Sequence, residues 1–434
     1  MAPDARADDE AALTDTVFAL SSGAPPAAIA VVRVSGPRAD AALQALTGTL
    51  PEPRTARLAA LQHDGELLDN ALILRFPGPH SATGEDVAEL HLHGGRSVVA
   101  AVLAALAGME GLREAKPGEF TRRAFENGRI DLAEAEGLAD LLTAETQSQR
   151  RAALALAGGA LSRQVEAWQA RLLDLSARLE AALDHSDEGD VEGEALPGGD
   201  VEALAGEVEA LLRRPPVERL RDGVRVVIAG PPNAGKSSLL NALAGREAAI
   251  TSAIAGTTRD LVEAPTAIGG APFLLVDTAG LRTSEDAIES IGVARAQASL
   301  AAADLILWLG DPESASDLER TILVHTKADI SPPDPRADVA VSARTGAGLG
   351  RLLEMLGQRA RALLPAEGDV AINARHRAAL AEAHGWISEA GQADDPLIAA
   401  EALRQARAAH DRVTGRAGVE EMLDALFGRF CIGK

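Results

Sequence analysis

Hydrophobic positions along the chain fall into three regimes. Between residues 16 and 115 the apolar runs are short. Ile29–Val34, Ala71–Phe76 and Val87–Leu92 are separated by Gly/Pro turns, with a helical stretch at Val98–Ala107, so this region predicts a small α/β domain. From about Phe120 the period lengthens. Leu161, Val165, Trp168, Leu172, Leu175 and Leu179 recur at alternating gaps of four and three, one stripe of a long helix. The Gly-, Pro- and acid-rich stretch from Asp187 to Asp200 breaks the helical pattern and reads as a solvated loop. Apolar strand runs return at Val224–Ala229, Phe273–Val276, Thr321–His325 and Val339–Val341. Residues Ala371–Phe430 are helical again, without a strand signal. A lone helical segment with one apolar face has nothing to bury it against. It is expected to pack on the earlier helices, which makes the strand-rich region an insertion in one helical domain. The expected division is 1–118, 119–216, 217–365 and 366–434, with the second and fourth segments forming that helical domain.

Composition narrows the classes. A chain of 434 residues has room for several domains and ample core. Apolar residues make up 47%, yet no run approaches the length of a membrane span. A net charge of −22 argues against a large basic nucleic-acid platform. One cysteine cannot form an intramolecular disulfide, and the acidic, polar Met1–Glu10 shows no signal peptide, so a cytoplasmic protein is expected. His91 and His93 alternate as ligands on one strand face would. No second cluster completes a metal site there, and no zinc is expected.

The chemistry sits at strand ends. Gly230-Pro231-Pro232-Asn233-Ala234-Gly235-Lys236-Ser237-Ser238 follows one apolar run and opens a helix. Backbone N–H groups of such a loop wrap a β-phosphate, and the helix N-terminus adds positive potential. Lys236 can reach the β/γ-phosphates and the Ser237 hydroxyl can ligate Mg²⁺. Asp277-Thr278-Ala279-Gly280 ends the next strand. Asp277 can hold the Mg²⁺ shell, and Gly280 lets its N–H approach the γ-phosphate. Thr326-Lys327-Ala328-Asp329 ends a third, where an Asp carboxylate accepts from the N1–H and 2-amino group of guanine. Adenine lacks both donors, so GTP/GDP is expected rather than an adenine nucleotide. Thr326 stands where GTPases usually have Asn. The loop of Ser342, Ala343 and Arg344 can contact the guanine carbonyl through backbone. Four motifs at carboxyl ends of strands fit the rule for ligands on open α/β sheets. Ser252-Ala253-Ile254-Ala255-Gly256-Thr257-Thr258 reads as a switch loop, with Thr258 completing the Mg²⁺ shell. Leu281 follows Gly280 where many switch GTPases carry a water-orienting Gln. Hydrolysis then needs another carboxylate or amide and another positive charge. Asn233 is one unusual polar group in the phosphate loop, and Glu289 is a candidate carboxylate that from sequence alone reads as a solvated helix residue.

These motifs resemble the MnmE/TrmE family, the tRNA uridine-modification GTPases. So do Ala28–Gly36, Gly84–Leu90 with His93-Gly94-Gly95, Pro117–Phe125 and the terminal Cys431-Ile432-Gly433-Lys434. The resemblance covers essentially the whole chain. It implies an N-terminal α/β tetrahydrofolate-binding and dimerisation domain, a discontinuous helical domain and an inserted Ras-like P-loop G domain. It further implies a K⁺ ion bound by Asn233, Thr257 and the backbone of Ser252 and Ile254, and Glu289 positioning the attacking water. Arg33, Glu89, Arg129 and Lys434 would contact 5-formyl- or methylene-tetrahydrofolate, with Cys431 near the one-carbon unit. Arg129 stands where the family has Lys, keeping charge but not geometry. The implied assembly is a homodimer that acts on tRNA with a flavin- and NADH-dependent partner of the MnmG/GidA type, as a heterotetramer. Its activity would modify C5 of the wobble uridine. The competing expectation is a ribosome-assembly GTPase that binds rRNA, which predicts a basic RNA-binding module beside the G domain.

Overall fold

The computed structural model describes residues 15–184, 198–246, 263–278, 297–315, 317–366, 368–416, 423, 426–428 and 430–433. Its contacts divide into two compact units, Met1–Ala139 with Thr414–Lys434, and Asp140–Val413.

The first unit is built on a six-stranded sheet of order β3-β4-β5-β2-β1-β6. Its strands are β1 (Thr16–Leu20), β2 (Ile29–Ser35), β3 (Arg57–His63), β4 (Glu66–Phe76), β5 (Val87–His93) and β6 (Leu112–Glu114). All neighbours are antiparallel except β1 and β6. Ala30, Val32, Val34, Ile73, Leu90 and Leu92 face helices α1 (Ala39–Thr47) and α2 (Arg96–Ala107), burying Leu43, Leu46, Val102 and Leu106. Strand side chains alternate, so Ile29, Val31 and Arg33 take the opposite face. There Leu58 pairs across strands with Leu72, and they remain 72% and 39% exposed. At the β1 end of this face Phe120 of α3 (Glu119–Glu126) packs on Val17 and Ala19.

Charge fixes α3. Arg123, 2% exposed, pairs with Glu85 and Glu119, each at 3.0 Å, and Arg113 reaches Glu119 at 2.6 Å. Burial pushes the Glu119 carboxyl up. Hydrogen bonds from Arg113, the Lys116 N–H and Arg123 outweigh it and hold the group below its ordinary range. Removing one member would strand a buried charge, which costs more than the network itself contributes. Leu423, Phe427 and Phe430 pack on Leu132 and Ala135 of α4 (Leu132–Thr143). Beyond them Gly433 is buried against β1. A Cβ there would sit 2.1 Å from the Leu20 carbonyl, so only glycine passes.

The second unit combines helices with a six-stranded sheet of order β12-β11-β10-β7-β9-β8. Its helices are α5 (Gln147–Ala157), α6 (Ala160–Asp184), α7 (Gly198–Leu212), α8 (Glu218–Asp222), α9 (Lys236–Arg246), α10 (Leu349–Leu363), α11 (Ala374–Gln392) and α12 (Pro396–Thr414). Strands β7 (Val224–Ala229), β9 (Ala271–Asp277), β10 (Leu305–Trp308), β11 (Thr321–His325) and β12 (Val339–Ala340) are parallel, and β8 (Glu263–Ile268) is antiparallel to β9. The six-residue stripe on α6 is buried throughout, no member above 3% exposed. Trp168 on it stacks on His410 of α12, ring centroids 5.7 Å apart. Thr146 and Gln149 cap α5 reciprocally, and Ser148 donates its N–H and hydroxyl to the Gly270 carbonyl between β8 and β9.

Two sequence expectations change here. Gly198–Asp200 already forms the first turn of α7 rather than the end of a loop, because Val201, Leu204, Val208 and Leu211 give the segment its own apolar face and α7 packs along α11. Arg375, which with Arg150, Arg151 and Arg361 reads from sequence as a scattered charge on a solvated helix face, donates to the Arg412 and Val413 carbonyls at the end of α12. It thereby satisfies acceptors the helix cannot.

Candidate functional site: phosphate loop and base pocket

The phosphate loop leaves β7 at Gly230, whose φ of +145° is open to glycine alone. A Cβ there would come within 3.1 Å of the Leu309 backbone, so the loop can lie against the end of β10 only without a side chain. Asn233 takes a left-handed φ of +60°, which its short polar side chain tolerates. Lys236 is 8% exposed and donates to the Gly230 and Pro231 carbonyls at 3.0 and 2.8 Å, so its amine is poised over the loop. Ser237 Oγ donates to Asp277 Oδ2 at 2.5 Å across the ends of β7 and β9. A hydroxyl and a 2%-exposed carboxylate so close together are the hard oxygen donors that Mg²⁺ selects. Thr278 anchors the end of β9 by donating to the Ile228 carbonyl at 2.9 Å.

The base-reading segment is fastened to this loop. Thr326 Oγ1 donates to the Ala234 carbonyl at 2.6 Å, and Lys327 Nζ to the Asn233 carbonyl at 2.8 Å. Ala328 N–H donates to the Val341 carbonyl. Asp329 then projects with both oxygens engaged, Oδ1 by Ser342 Oγ at 2.7 Å and Oδ2 by Arg344 Nε at 2.9 Å. The Ser342 hydrogen bond, helped by Arg344, holds the Asp329 carboxyl below the ordinary carboxylate range. A cavity of about 330 Å³ opens here, lined by Gly235, Ser238, Thr326, Asp329, Ala343 and Arg344. Residues nearly a hundred positions apart thus form one phosphate-and-base cleft at the carboxyl ends of parallel strands. Ser252, Ala253, Ile254, Ala255, Gly256, Thr257, Thr258, Ala279, Gly280 and Glu289 lie outside the described residues.

A second cluster lies on the first sheet. Arg33 pairs with Glu89 at 2.8 Å in register across β2 and β5, with its guanidinium over the Phe120 ring. His91 Nε2 approaches the other Glu89 oxygen at 3.4 Å. Glu89 and Arg129 both line a cavity of about 310 Å³ with Arg54, Phe76 and His80. Mixed Arg and Glu side chains fit a ligand with a carboxylate tail and a donor–acceptor ring edge, the chemistry of a folate. Sequence reasoning missed Arg54 and His80, which stand in connecting segments and carry no periodic or motif signal. Cys431 is exposed, and Lys434 lies outside the described residues.

The family model described as the N-terminus of the GTP-binding protein TrmE matches residues 16–129, and that of the MnmE helical domain matches 132–431. A protein of Rhizorhabdus wittichii named tRNA modification GTPase MnmE is 60% identical over 432 residues, covering 98% of each chain. Its namesake in Erythrobacter litoralis is 57% identical over 97% of this chain and 100% of its own. That of Novosphingobium aromaticivorans is 55% identical over the same shares.

Proposed function

Because this chain belongs to the MnmE family of tRNA modification GTPases, we propose that it hydrolyses GTP to drive modification at C5 of the wobble uridine of certain tRNAs. The observation that carries the GTPase reading is Asp329, braced by Ser342 and Arg344 beside a phosphate loop to which its own segment is tied. The carboxylate takes the N1–H and 2-amino group of guanine. Loop N–H groups and Lys236 take the phosphates, and Ser237, Thr258 and Asp277 belong to the Mg²⁺ shell. With Leu281 unable to orient water, Glu289 takes that role. The charge an arginine would supply would come from K⁺, which Asn233, Thr257 and the backbone carbonyls of Ser252 and Ile254 would hold. Bound Mg²⁺ and K⁺ would offset negative charge growing on the phosphates; the chain itself orients the phosphates and the attacking water.

The one-carbon unit is proposed to come from a tetrahydrofolate at Arg33, Glu89 and Arg129, with Cys431 and Lys434 brought near by the tail. Supporting this reading, Gly433 packs on Leu20, whose neighbour Ala19 is the register partner of Arg33. The exposed Leu58, Leu72 and Ile29 share the sheet face of Arg33, an apolar surface suited to a second copy of the chain. We assign the homodimer to that face and a flavin- and NADH-dependent enzyme to the assembled complex. Mass analysis of tRNA nucleosides from a strain lacking this chain tests the reading. Loss of C5-modified wobble uridines is expected, and an unchanged nucleoside profile would overturn it.

A further inference from the structure

Thr326 is fastened so that its hydrogen-bonding capacity toward a base is settled. A threonine hydroxyl carries one proton. Here it goes to the Ala234 carbonyl at 2.6 Å. The neighbouring Ala328 N–H is committed to the Val341 carbonyl, and the Lys327 amine is drawn toward the Asn233 carbonyl at 2.8 Å. Guanine held by Asp329 through N1–H and its 2-amino group turns its opposite, imidazole edge toward the phosphate-loop side of the cavity, where Thr326 stands in the wall. That edge offers two acceptors, N7 and O6. Facing it, Thr326 has lone pairs and a methyl group but no proton to give. An asparagine in its place would have two amide protons, enough to hold the Ala234 carbonyl and also donate to N7.

We propose that Thr326 makes this GTPase blind to N7 of its nucleotide. Position 326 serves to clamp the phosphate loop, and base identity is read on the Watson–Crick edge, by Asp329. The inference rests on the reading of the cleft as a guanine-nucleotide site. It predicts that 7-deaza-GDP, in which N7 is replaced by a C–H, binds as tightly as GDP.

The test is a set of titrations of the full-length chain with GDP, 7-deaza-GDP and inosine diphosphate, which lacks only the 2-amino group. Wild-type protein should bind GDP and 7-deaza-GDP within about twofold of one another, and inosine diphosphate about tenfold or more weakly. Thr326→Asn should restore discrimination, favouring GDP over 7-deaza-GDP by about fivefold. A wild-type preference for GDP over 7-deaza-GDP of tenfold would overturn the proposal, whatever the variant does. Equal binding of GDP and inosine diphosphate would instead show that the 2-amino group is not read at Asp329, and the two-donor guanine reading would fall together with the proposal that rests on it. If Thr326→Asn does not fold, the three wild-type titrations still decide.

Discussion

The two six-stranded sheets present their chemistry in different places. In the parallel sheet both faces are packed, and Ser237, Asp277 and Asp329 cluster at strand ends, where connecting loops leave the core. In the antiparallel sheet the chemistry lies on a face, where Arg33 and Glu89 meet side by side across two strands. An end is set by loops, and loops are short contiguous sequences. A face is set by register, so its members come from separate strands and a slip of one residue would turn them into the core. The strand-end site is therefore built from a few short motifs, each local in sequence, that the parallel strands bring together. The face site is assembled from distant residues and continues into an apolar surface.

That contrast predicts unequal sensitivity. Asp329→Asn should cost the most, about a thousandfold in GDP affinity, because one guanine donor loses its acceptor and meets an amide N–H instead. Folate binding should stay intact, and a parallel loss measured by calorimetry would mean the two sites are not independent. Next, GTP turnover should fall about a hundredfold when K⁺ is replaced by Na⁺, the scale of one lost transition-state charge contact. Equal rates in the two salts would reject the cation site. On the face, Glu89→Gln keeps shape but removes the charge opposite Arg33. Tetrahydrofolate affinity should drop about tenfold with GTP turnover unchanged. An unaltered affinity would leave Arg33 and Glu89 a structural pair.

The helices supply the smallest effect and a control for both sites. Burial pushes His410 down to about 4 from an ordinary 6.5. Between those values the unfolded chain binds a proton that the folded one refuses, so stability falls as pH falls. From pH 6.5 to 5.5 the loss is about 1 kcal/mol, or about one to three degrees in Tm. His410→Leu should flatten that slope without altering nucleotide or folate binding, as thermal scans at the two pH values would show.

The same contrast explains what could be read from the chain. The phosphate loop and Asp329 were legible because glycine geometry and a few side chains within one motif define them. The α6 stripe was legible because 3.6-residue periodicity survives any packing partner. Arg54 and His80 were not, since cavity walls supplied by loops follow from tertiary closure. Arg375 looked like a surface charge because sequence does not show which helix end it will meet. The start of α7 was hidden by composition, as Gly198, Gly199 and Asp200 look like a loop although they form the helix's first turn. Thr326 was visible as a departure from the GTPase pattern, but its attachment to Ala234 was not.

Gly433 bears on how the tail can vary. Its backbone is pressed against Leu20 with no space for even a methyl group. Gly433→Ala would have to push the tail off Leu20 and would crowd the strand that flanks Arg33. A preparation carrying that one added methyl that hydrolyses GTP normally yet leaves tRNA unmodified would separate the tail's seat from the nucleotide cleft.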